Sequence, residues 1–126
     1  MKRILITGAT SGIGKALCNL YQKQGYEVIA CGRNQQVLDE IARLENISTL
    51  SFDISDKQQV QQALAALPEL DVVILNAGSC EYIDDVKHFD GDLFARVITT
   101  NLIALGYCLQ SVLPNIKRGG QLALMG

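Results

Sequence analysis

The chain contains no tryptophan, only 2 prolines and 1 histidine among its 126 residues. Its longest uninterrupted apolar stretches, such as 72–75 and 102–105, are much shorter than the roughly 20 residues that a membrane-spanning helix needs. The 4 cysteines include no Cys-x-x-Cys pair, His88 stands alone, and the acidic residues of 81–92 lack the spacing of a calcium loop. We therefore expect no membrane segment and no metal site.

Charge of one sign is also absent as a block. The chain carries 11 Lys plus Arg against 13 Asp plus Glu, a formal net charge of -2, so nucleic acid is not an expected partner. Hydrophobic residues make up 48% of the chain and charged residues 19%, a balance typical of a single packed, soluble domain. No secretory leader precedes the cysteines, so we expect free thiols and a cytoplasmic protein.

Apolar periodicity predicts strands and helices in strict alternation. Short apolar runs predict five strands, and they lie at 2–7, 26–31, 47–52, 72–77 and 121–125. The helix after the first strand has a predicted apolar face of Ile13, Ala16, Leu17, Leu20 and Tyr21. Such alternation implies right-handed crossovers and a doubly wound parallel sheet of the α/β class, Rossmann-like, with helices on both faces.

Capping residues and apolar spacing give the later helices. Asn34 is predicted to cap the second helix and Ser55 the third. A polar loop follows over 78–91, and a helix from Asp92 to about Leu113 is apolar around most of its circumference. Because that helix expects cover on several sides and the fifth strand leaves an open edge, we expect self-association into a homo-oligomer.

The turn between the first strand and the first helix is rich in glycine. It reads Thr7-Gly8-Ala9-Thr10-Ser11-Gly12-Ile13-Gly14, with the spacing Gly-x-x-x-Gly-x-Gly. The phosphates of a dinucleotide bind where such a turn meets a helix N-terminus, because glycine permits close approach and the first helical N–H groups are unpaired. We expect a dinucleotide site rather than a bare turn, and the residues assigned to it are Gly8, Thr10, Ser11, Gly12, Ile13 and Gly14.

The residues after the second strand bear on the choice between two cofactors. They are Cys31, Gly32, Arg33 and Asn34. An acidic residue at this place binds a ribose 2′-hydroxyl, whereas a basic one accommodates a 2′-phosphate. No carboxylate stands here to repel that phosphate, and the guanidinium of Arg33 offers it a fork of donors. NADP(H) is therefore favoured over NAD(H), with Arg33 and Asn34 as binding residues.

In its glycine turn the chain resembles the short-chain dehydrogenase/reductase family, whose non-extended branch carries Thr-Gly-x-x-x-Gly-x-Gly at this place. Further motifs follow in the family's order. Asp53-Ile54 resembles the Asp-hydrophobic pair that binds the adenine ring. Asn76-Ala77-Gly78 resembles the family's Asn-Asn-Ala-Gly, assigned to the cofactor site. Leu75 replaces the first Asn of that motif, which weakens an expected role in tying neighbouring strands together.

The resemblance extends to Asn101, within Thr99-Thr100-Asn101-Leu102 on the predicted long helix. Asn101 aligns with the family's helix Asn, which holds a water or backbone link in the proton relay, and it is the candidate catalytic residue. An asparagine buried in an apolar helix is costly unless it is hydrogen-bonded, which fits a special role. Taken alone, Asn101 is more often a satisfied structural group, but its place after Asn76-Ala77-Gly78 favours the catalytic assignment.

The residues that complete catalysis in the family are missing from these 126 positions. The resemblance implies a Ser, and a Tyr-x-x-x-Lys pair on a later helix, because the alkoxide left by hydride transfer must gain a proton. The residues four positions after the tyrosines are instead Gly25, Ala30, Val86 and Ser111. The family's Ser follows the fifth strand, where this sequence reaches Gly126.

The resemblance thus implies the NADP(H)-binding, N-terminal half of an oxidoreductase that interconverts a carbonyl and an alcohol in a small-molecule substrate. By itself, this chain is expected to bind the cofactor without turnover. The alternative from another class is a non-catalytic dinucleotide sensor or interaction module.

Overall fold

A computed structural model describes residues 1–10, 12–76 and 89–125 of the chain. Its strands all pair in parallel, in the order β3-β2-β1-β4-β5. The elements are β1 Arg3–Thr7, α1 Gly12–Lys23, β2 Glu27–Gly32, α2 Gln35–Ile41, β3 Ile47–Ser51, α3 Lys57–Ala63, β4 Leu70–Leu75, α4 Gly91–Ile98, α5 Ala104–Val112 and β5 Ile116–Leu124. The predicted Rossmann-like sheet of five strands is confirmed.

Two hydrophobic cores lie on opposite faces of the sheet. Because successive side chains of a strand point to opposite faces, Leu5 of β1 lies in the core beneath α3 and α5, whereas Ile4 and Ile6 lie in the core beneath α1 and α2. Val73 and Ile74 of β4 divide between the two cores in the same way. The middle of a strand covered on both faces is apolar at successive positions, which accounts for the apolar runs 4–6 in β1 and 72–75 in β4.

Helix α1 packs on the sheet with a different face from the predicted one. Its buried residues are Gly14 and Cys18, which lie four positions apart. Ile13, Ala16 and Leu20 were expected to face the core but are exposed, Ile13 to 60% and Leu20 to 50%. Gly14 has no side chain, so the helix lies directly against the turn after β1, and this contact turns the other three residues towards solvent. Two members of the predicted face do pack against the core, Leu17 and Tyr21.

The predicted cap of α2 is correct, and the predicted cap of α3 is wrong. Asn34 caps α2, because its Oδ1 accepts the backbone N–H of Val37 at 3.2 Å. Ser55 does not cap α3; Asp56 does, and its Oδ1 accepts the N–H of Gln59 at 3.1 Å. The two residues are adjacent, and the carboxylate of Asp56 reaches the helix N-terminus while the hydroxyl of Ser55 bonds elsewhere.

The predicted long helix is present as one continuous helical stretch, with a π-helical turn inside it. Asp90 caps α4 by accepting the N–H groups of Asp92 and Leu93 at 2.9 and 3.2 Å, so the helix begins at Gly91. A π-helical turn, Thr99–Ile103, then separates α4 from α5. Helix α5 turns one stripe to the core, at Ala104, Cys108 and Val112. Large apolar side chains on the rest of this segment are exposed, namely Phe94, Ile98, Leu102, Ile103 and Leu113.

Taken together, the helical residues Gly91–Asn115 are long and apolar enough, by length and composition, to cross a membrane. The expectation of no membrane segment was based on the short length of the uninterrupted apolar runs. That criterion does not detect a helix such as this one, whose apolar residues are interrupted by polar ones. A helix that covers a sheet in a soluble core has the same composition. Helix α5 packs against the sheet through its buried stripe, so we interpret the stretch as a packing helix.

Strands β4 and β5 both begin earlier than the apolar runs predict. Strand β4 begins at Leu70 rather than at residue 72, and β5 begins at Ile116 rather than at residue 121. The pairing register shifts within this pair, where Gly119 takes a φ of 83°. A Cβ on Gly120 would lie 2.8 Å from the carbonyl oxygen of Asp71. The two glycines therefore make an irregularity inside β5, instead of preceding the strand as predicted.

Candidate dinucleotide site

The carboxyl ends of β1 and β4 form the point at which the strand order reverses. In sheets of this kind the chain leaves these two strands in opposite directions and opens a crevice that binds ligands. Here the buried Thr7 ends β1, and its Oγ1 accepts the backbone N–H of Asn76 at 2.9 Å. Thr7 thus joins the two strands at the position where Leu75, a core residue, replaces the family's first Asn.

The glycine turn lies tightly against this junction. Gly8 and Gly12 take φ values of 64° and 55°, a region in which residues with a side chain are strained. A Cβ on Gly14 would overlap the carbonyl oxygen of Gly8 and would lie 2.8 Å from Nδ2 of Asn76. Helix α1 begins at Gly12 beside the crevice, and the unpaired N–H groups of a helix's first turn favour binding of an anion. Ser11 lies outside the described residues.

The turns after β1 and β2 lie side by side. The N–H of Ala9 donates to the carbonyl oxygen of Cys31 at 3.0 Å. A Cβ on Gly32 would lie 2.6 Å from Cγ2 of Thr10, so the absence of a side chain at Gly32 lets the glycine turn reach the end of β2. The exposed Arg33 follows Gly32 directly at this end of the sheet.

A cleft of about 240 Å³ lies at the ends of β2 and β3, lined by Arg33, Ser51, Phe52, Asp53 and Gln59. Oδ1 of Asp53 accepts two hydrogen bonds from Ser55, from its Oγ at 2.7 Å and from its N–H at 3.0 Å. These bonds lower the pKa of the Asp53 carboxyl, and the bond from the Ser55 hydroxyl has the largest effect. The positive charge of Arg33 lowers the pKa further. Asp53 therefore presents a carboxylate beside a guanidinium.

The described cysteines supply no nucleophile to the site. Cys18, Cys31 and Cys108 are unpaired and buried. Burial raises the pKa of the Cys18 and Cys108 thiols to about 11 and that of Cys31 further still. The three side chains are therefore neutral thiols that pack as small apolar groups. Cys80 lies outside the described residues.

The structure gathers the predicted site residues into two groups and leaves others apart. Gly8, Thr10, Gly12, Ile13, Gly14 and Asn76 lie at the ends of β1 and β4, and Arg33, Asn34 and Asp53 at the ends of β2 and β3. Oδ1 of Asn34 is already engaged in the α2 cap, and Ile54 packs against the core below α3. Ala77 and Gly78 lie outside the described residues.

Asn101 does not have the buried environment that was expected of it. It lies in the π-helical turn, and its side chain is exposed. The expectation assumed cover over the whole helix circumference, whereas in the described part of the chain only one stripe of α5 is covered. Burial therefore no longer supports the catalytic assignment, which now depends on the family motif alone.

Sequence reasoning missed four residues of the site, which are Thr7, Gly32, Ser55 and Gln59. For one of them, Ser55, the sequence contains a pattern from which its role could have been predicted. A serine two positions after an aspartate is the spacing of a local side-chain turn, so the hydrogen bond from Ser55 to Asp53 was predictable. The contacts of Thr7 and Gly32 join segments that are distant in sequence, and they emerge only when the sheet forms.

Known proteins resemble this chain over nearly its whole length. The family model for short chain dehydrogenases matches residues 2–124. Serine 3-dehydrogenase of Agrobacterium fabrum is 41% identical over 124 residues, which are 93% of this chain and 50% of that protein. NADP-dependent 3-hydroxy acid dehydrogenase YdfG of Escherichia coli K12 is 29% identical over 90% of this chain and 48% of its own.

A solved structure agrees with these relatives. The closed form of serine dehydrogenase complexed with NADP⁺ superposes with a TM-score of 0.90 at 29% identity, covering 98% of this chain and 53% of that one. The chain spans about half the length of the curated relatives that it matches. Sheet order, glycine turn and family match agree: the chain belongs to the short-chain dehydrogenase family.

Proposed function

We propose that this chain is the NADP(H)-binding portion of a short-chain oxidoreductase that interconverts a carbonyl and an alcohol by hydride transfer. The observation that carries the proposal is the cradle formed by Gly8, Gly14 and Asn76 at the switch point of the sheet. A Cβ on Gly14 would clash with Gly8 and Asn76 there, so the turn packs closely on the sheet, whereas a Cβ on Gly12, at the start of α1, would meet nothing within 4 Å. The names of relatives, which include an NADP-dependent dehydrogenase, support the same reading.

The residues of the site fit the parts of NADP(H) separately. The glycine turn and the first turn of α1 would hold the diphosphate, Arg33 the 2′-phosphate and Asp53 the adenine. When bound, the cofactor supplies or accepts the hydride. The chain's own residues bind and orient it: Thr7 fixes the distance between β1 and β4, and Gly32 lets the two turns meet.

The substrate class comes from the relatives rather than from this chain. The relatives named above are a serine 3-dehydrogenase and a 3-hydroxy acid dehydrogenase. Both names describe a hydroxyl at the third carbon of an acid, so a small 3-hydroxy acid is the substrate class that we propose for the whole protein. The three unpaired, described cysteines support the proposal of a soluble, cytoplasmic protein.

We propose further that the 126 residues alone do not turn over, because no Tyr-x-x-x-Lys pair is present in them to protonate an alkoxide. The purified chain, incubated with NADPH and simple aldehydes, ketones or 3-oxo acids, should show no loss of absorbance at the NADPH band. Sustained oxidation of NADPH would contradict this. The second candidate is a non-catalytic dinucleotide sensor. A Tyr-x-x-x-Lys pair encoded after Gly126 would support the enzyme, and its absence there would support the sensor.

Titration of the purified chain with NADPH and NADH tests the cofactor assignment. NADPH should bind more tightly, and Arg33→Ala should weaken its binding by about 10- to 100-fold, the range expected for lost hydrogen bonds to a charged phosphate. NADH binding should change little. Arg43→Ala is the matched control, because Arg43 is an exposed arginine in the turn after α2. Equal affinities for the two nucleotides in the unaltered chain would contradict the role of Arg33.

A further inference from the structure

The hydrogen bonds around Asp53 give the adenine end of the site a fixed polarity. Oδ1 of Asp53 receives both donors of Ser55, the Oγ at 2.7 Å and the N–H at 3.0 Å. Within the described part of the chain, no hydrogen bond reaches the other oxygen, Oδ2. A carboxylate oxygen has two lone pairs, and both lone pairs of Oδ1 are engaged by Ser55. Oδ2 is therefore the oxygen that can accept a hydrogen bond from a ligand.

The backbone of Asp53 is also engaged. Its N–H donates to Oε1 of Gln59 at 2.9 Å. The amide of Gln59 is oriented by its other end, because its Nε2 donates to Oδ2 of Asp56 at 3.3 Å. Of the two ends of the Gln59 amide, only the nitrogen can donate to the carboxylate of Asp56. The amide oxygen of Gln59 therefore faces the N–H of Asp53. The donor that Asp53 might offer to a ligand is thereby consumed.

We propose that Ser55 and Gln59 are positioning residues, Ser55 by orienting the Asp53 carboxylate and Gln59 by engaging the Asp53 N–H, so that the cleft selects a purine carrying an exocyclic amino group over one carrying an oxo group. This inference rests on the proposed function and specifies its adenine end. The amino group at C6 of adenine donates to a carboxylate, whereas the oxo group at C6 of hypoxanthine is itself an acceptor and is repelled by one. Ser55 and Gln59 act through Asp53 and need not touch the base.

The charges of the cleft agree with this assignment. Two donors from Ser55 and the nearby guanidinium of Arg33 keep the pKa of Asp53 below its ordinary value, so the carboxyl stays ionised near neutral pH. A protonated carboxyl would instead have an O–H group, which would donate a hydrogen bond to the oxo group of an oxo-purine. Removal of the Ser55 hydroxyl takes away one of the two donors to Oδ1 and leaves only the backbone N–H, so the carboxylate is held less firmly and the selection should weaken.

The test compares NADPH with its deaminated analogue, nicotinamide hypoxanthine dinucleotide phosphate in the reduced form. The unaltered chain should bind NADPH about tenfold more tightly, the effect of one hydrogen bond to a charged group. In Ser55→Ala this ratio should fall to about threefold or less, and in Ser55→Thr it should return. Gln59→Leu should also lower the ratio, because it frees the Asp53 N–H, and Gln62→Leu on the exposed side of the same region is the control.

The possible results separate the inference from the proposed function. If the unaltered chain binds both nucleotides equally and tightly, the function stands and the inference fails. If Ser55→Ala weakens both nucleotides by the same factor, Ser55 is structural only and the inference fails. If neither nucleotide binds to the unaltered chain, the proposed function itself fails. Circular dichroism melts of each variant identify any that does not fold, and the comparison of the two nucleotides on the unaltered chain does not depend on a variant.

Discussion

Gly14 is the residue at which helix α1 and the sheet come closest. Its missing Cβ accommodates the carbonyl of Gly8 and the side-chain amide of Asn76, so the turn after β1, the start of α1 and the end of β4 meet at one point. The same contact sets which face of α1 is buried. One glycine therefore determines both the packing of the helix and the shape of the crevice.

Gly14→Ala is expected to destabilise the chain by about 1–3 kcal/mol, because a methyl group cannot fit against a backbone carbonyl without a shift of the helix. NADPH binding should weaken by roughly tenfold or more, because the displaced N–H groups no longer meet the phosphate. Chemical denaturation and NADPH titration measure the two effects.

The matched control is Gly106→Ala on α5, where an added Cβ meets nothing within 4 Å. That change should stabilise the chain by about 0.5–1 kcal/mol, because alanine is the better helix former, and should leave NADPH affinity unaltered. Equal stabilities for the two variants would contradict the role assigned to Gly14.

Among the elements, β1, β4 and β5 are joined at their amino ends by Asp71. Its Oδ2 accepts the backbone N–H of Arg3 at 2.8 Å, and its Oδ1 lies 3.5 Å from Nζ of Lys117. The Arg3 N–H is the main cause that holds the pKa of Asp71 below its ordinary value, and Lys117 adds to it. The guanidinium of Arg3 also pairs with Glu27 of β2 at 2.9 Å, so the charged edge opposite the crevice spans four strands.

This arrangement predicts a pH dependence of the free energy of unfolding. A carboxyl whose folded pKa is lowered stabilises the fold above its unfolded pKa, near 4, and the stabilisation is lost as the pH falls through the folded value. The unaltered chain should therefore lose stability between about pH 5 and pH 2, and Asp71→Asn should lose less over that range.

Thermal melts across this pH range check the prediction, with Asp39→Asn as the control. Asp39 is an exposed carboxylate on α2 that accepts an intrahelical hydrogen bond from Gln35. Its replacement should leave the shape of the pH profile unchanged. If Asp71→Asn and the unaltered chain follow the same profile, the interstrand role of Asp71 is wrong.

Elements were predictable from sequence where local signals and tertiary packing agree. Apolar runs gave the sheet strands, and the turn chemistry gave the glycine loop and the Asn34 cap. The prediction failed where packing decides: the rotation of α1 depends on the close approach of Gly14, and the early start of β5 depends on its pairing with β4. Asp56 replaced Ser55 as a cap because two adjacent residues offered the same chemistry.

At the scale of the whole molecule, several large apolar side chains are exposed. Leu102 on the π-helical turn is 63% exposed, Phe94 on α4 is 53% exposed, and Leu124 of the edge strand β5 is 53% exposed. Exposed large apolar side chains often mark a surface that binds another chain, so self-association remains our prediction. No contact in the described part of the chain covers these side chains.

Size-exclusion chromatography with light scattering at low micromolar concentration should find a species heavier than the monomer. Leu102→Glu should shift it to the monomer, because a charge at the centre of an apolar contact loses its hydration. Leu20→Glu is the matched control, since Leu20 is a leucine 50% exposed on α1 at the other face of the sheet. A monomer in the unaltered chain would contradict the prediction.

The order of the site residues along the chain has one more consequence. Every residue proposed to hold the cofactor, from Gly8 to Gly78, comes before the long helix, and none belongs to β5. Nucleotide choice is thus encoded in one contiguous stretch that can be transplanted. A chimaera that joins residues 1–78 of this chain to the later part of a relative should take its coenzyme preference from this chain and its substrate preference from the relative, so the two traits are inherited independently.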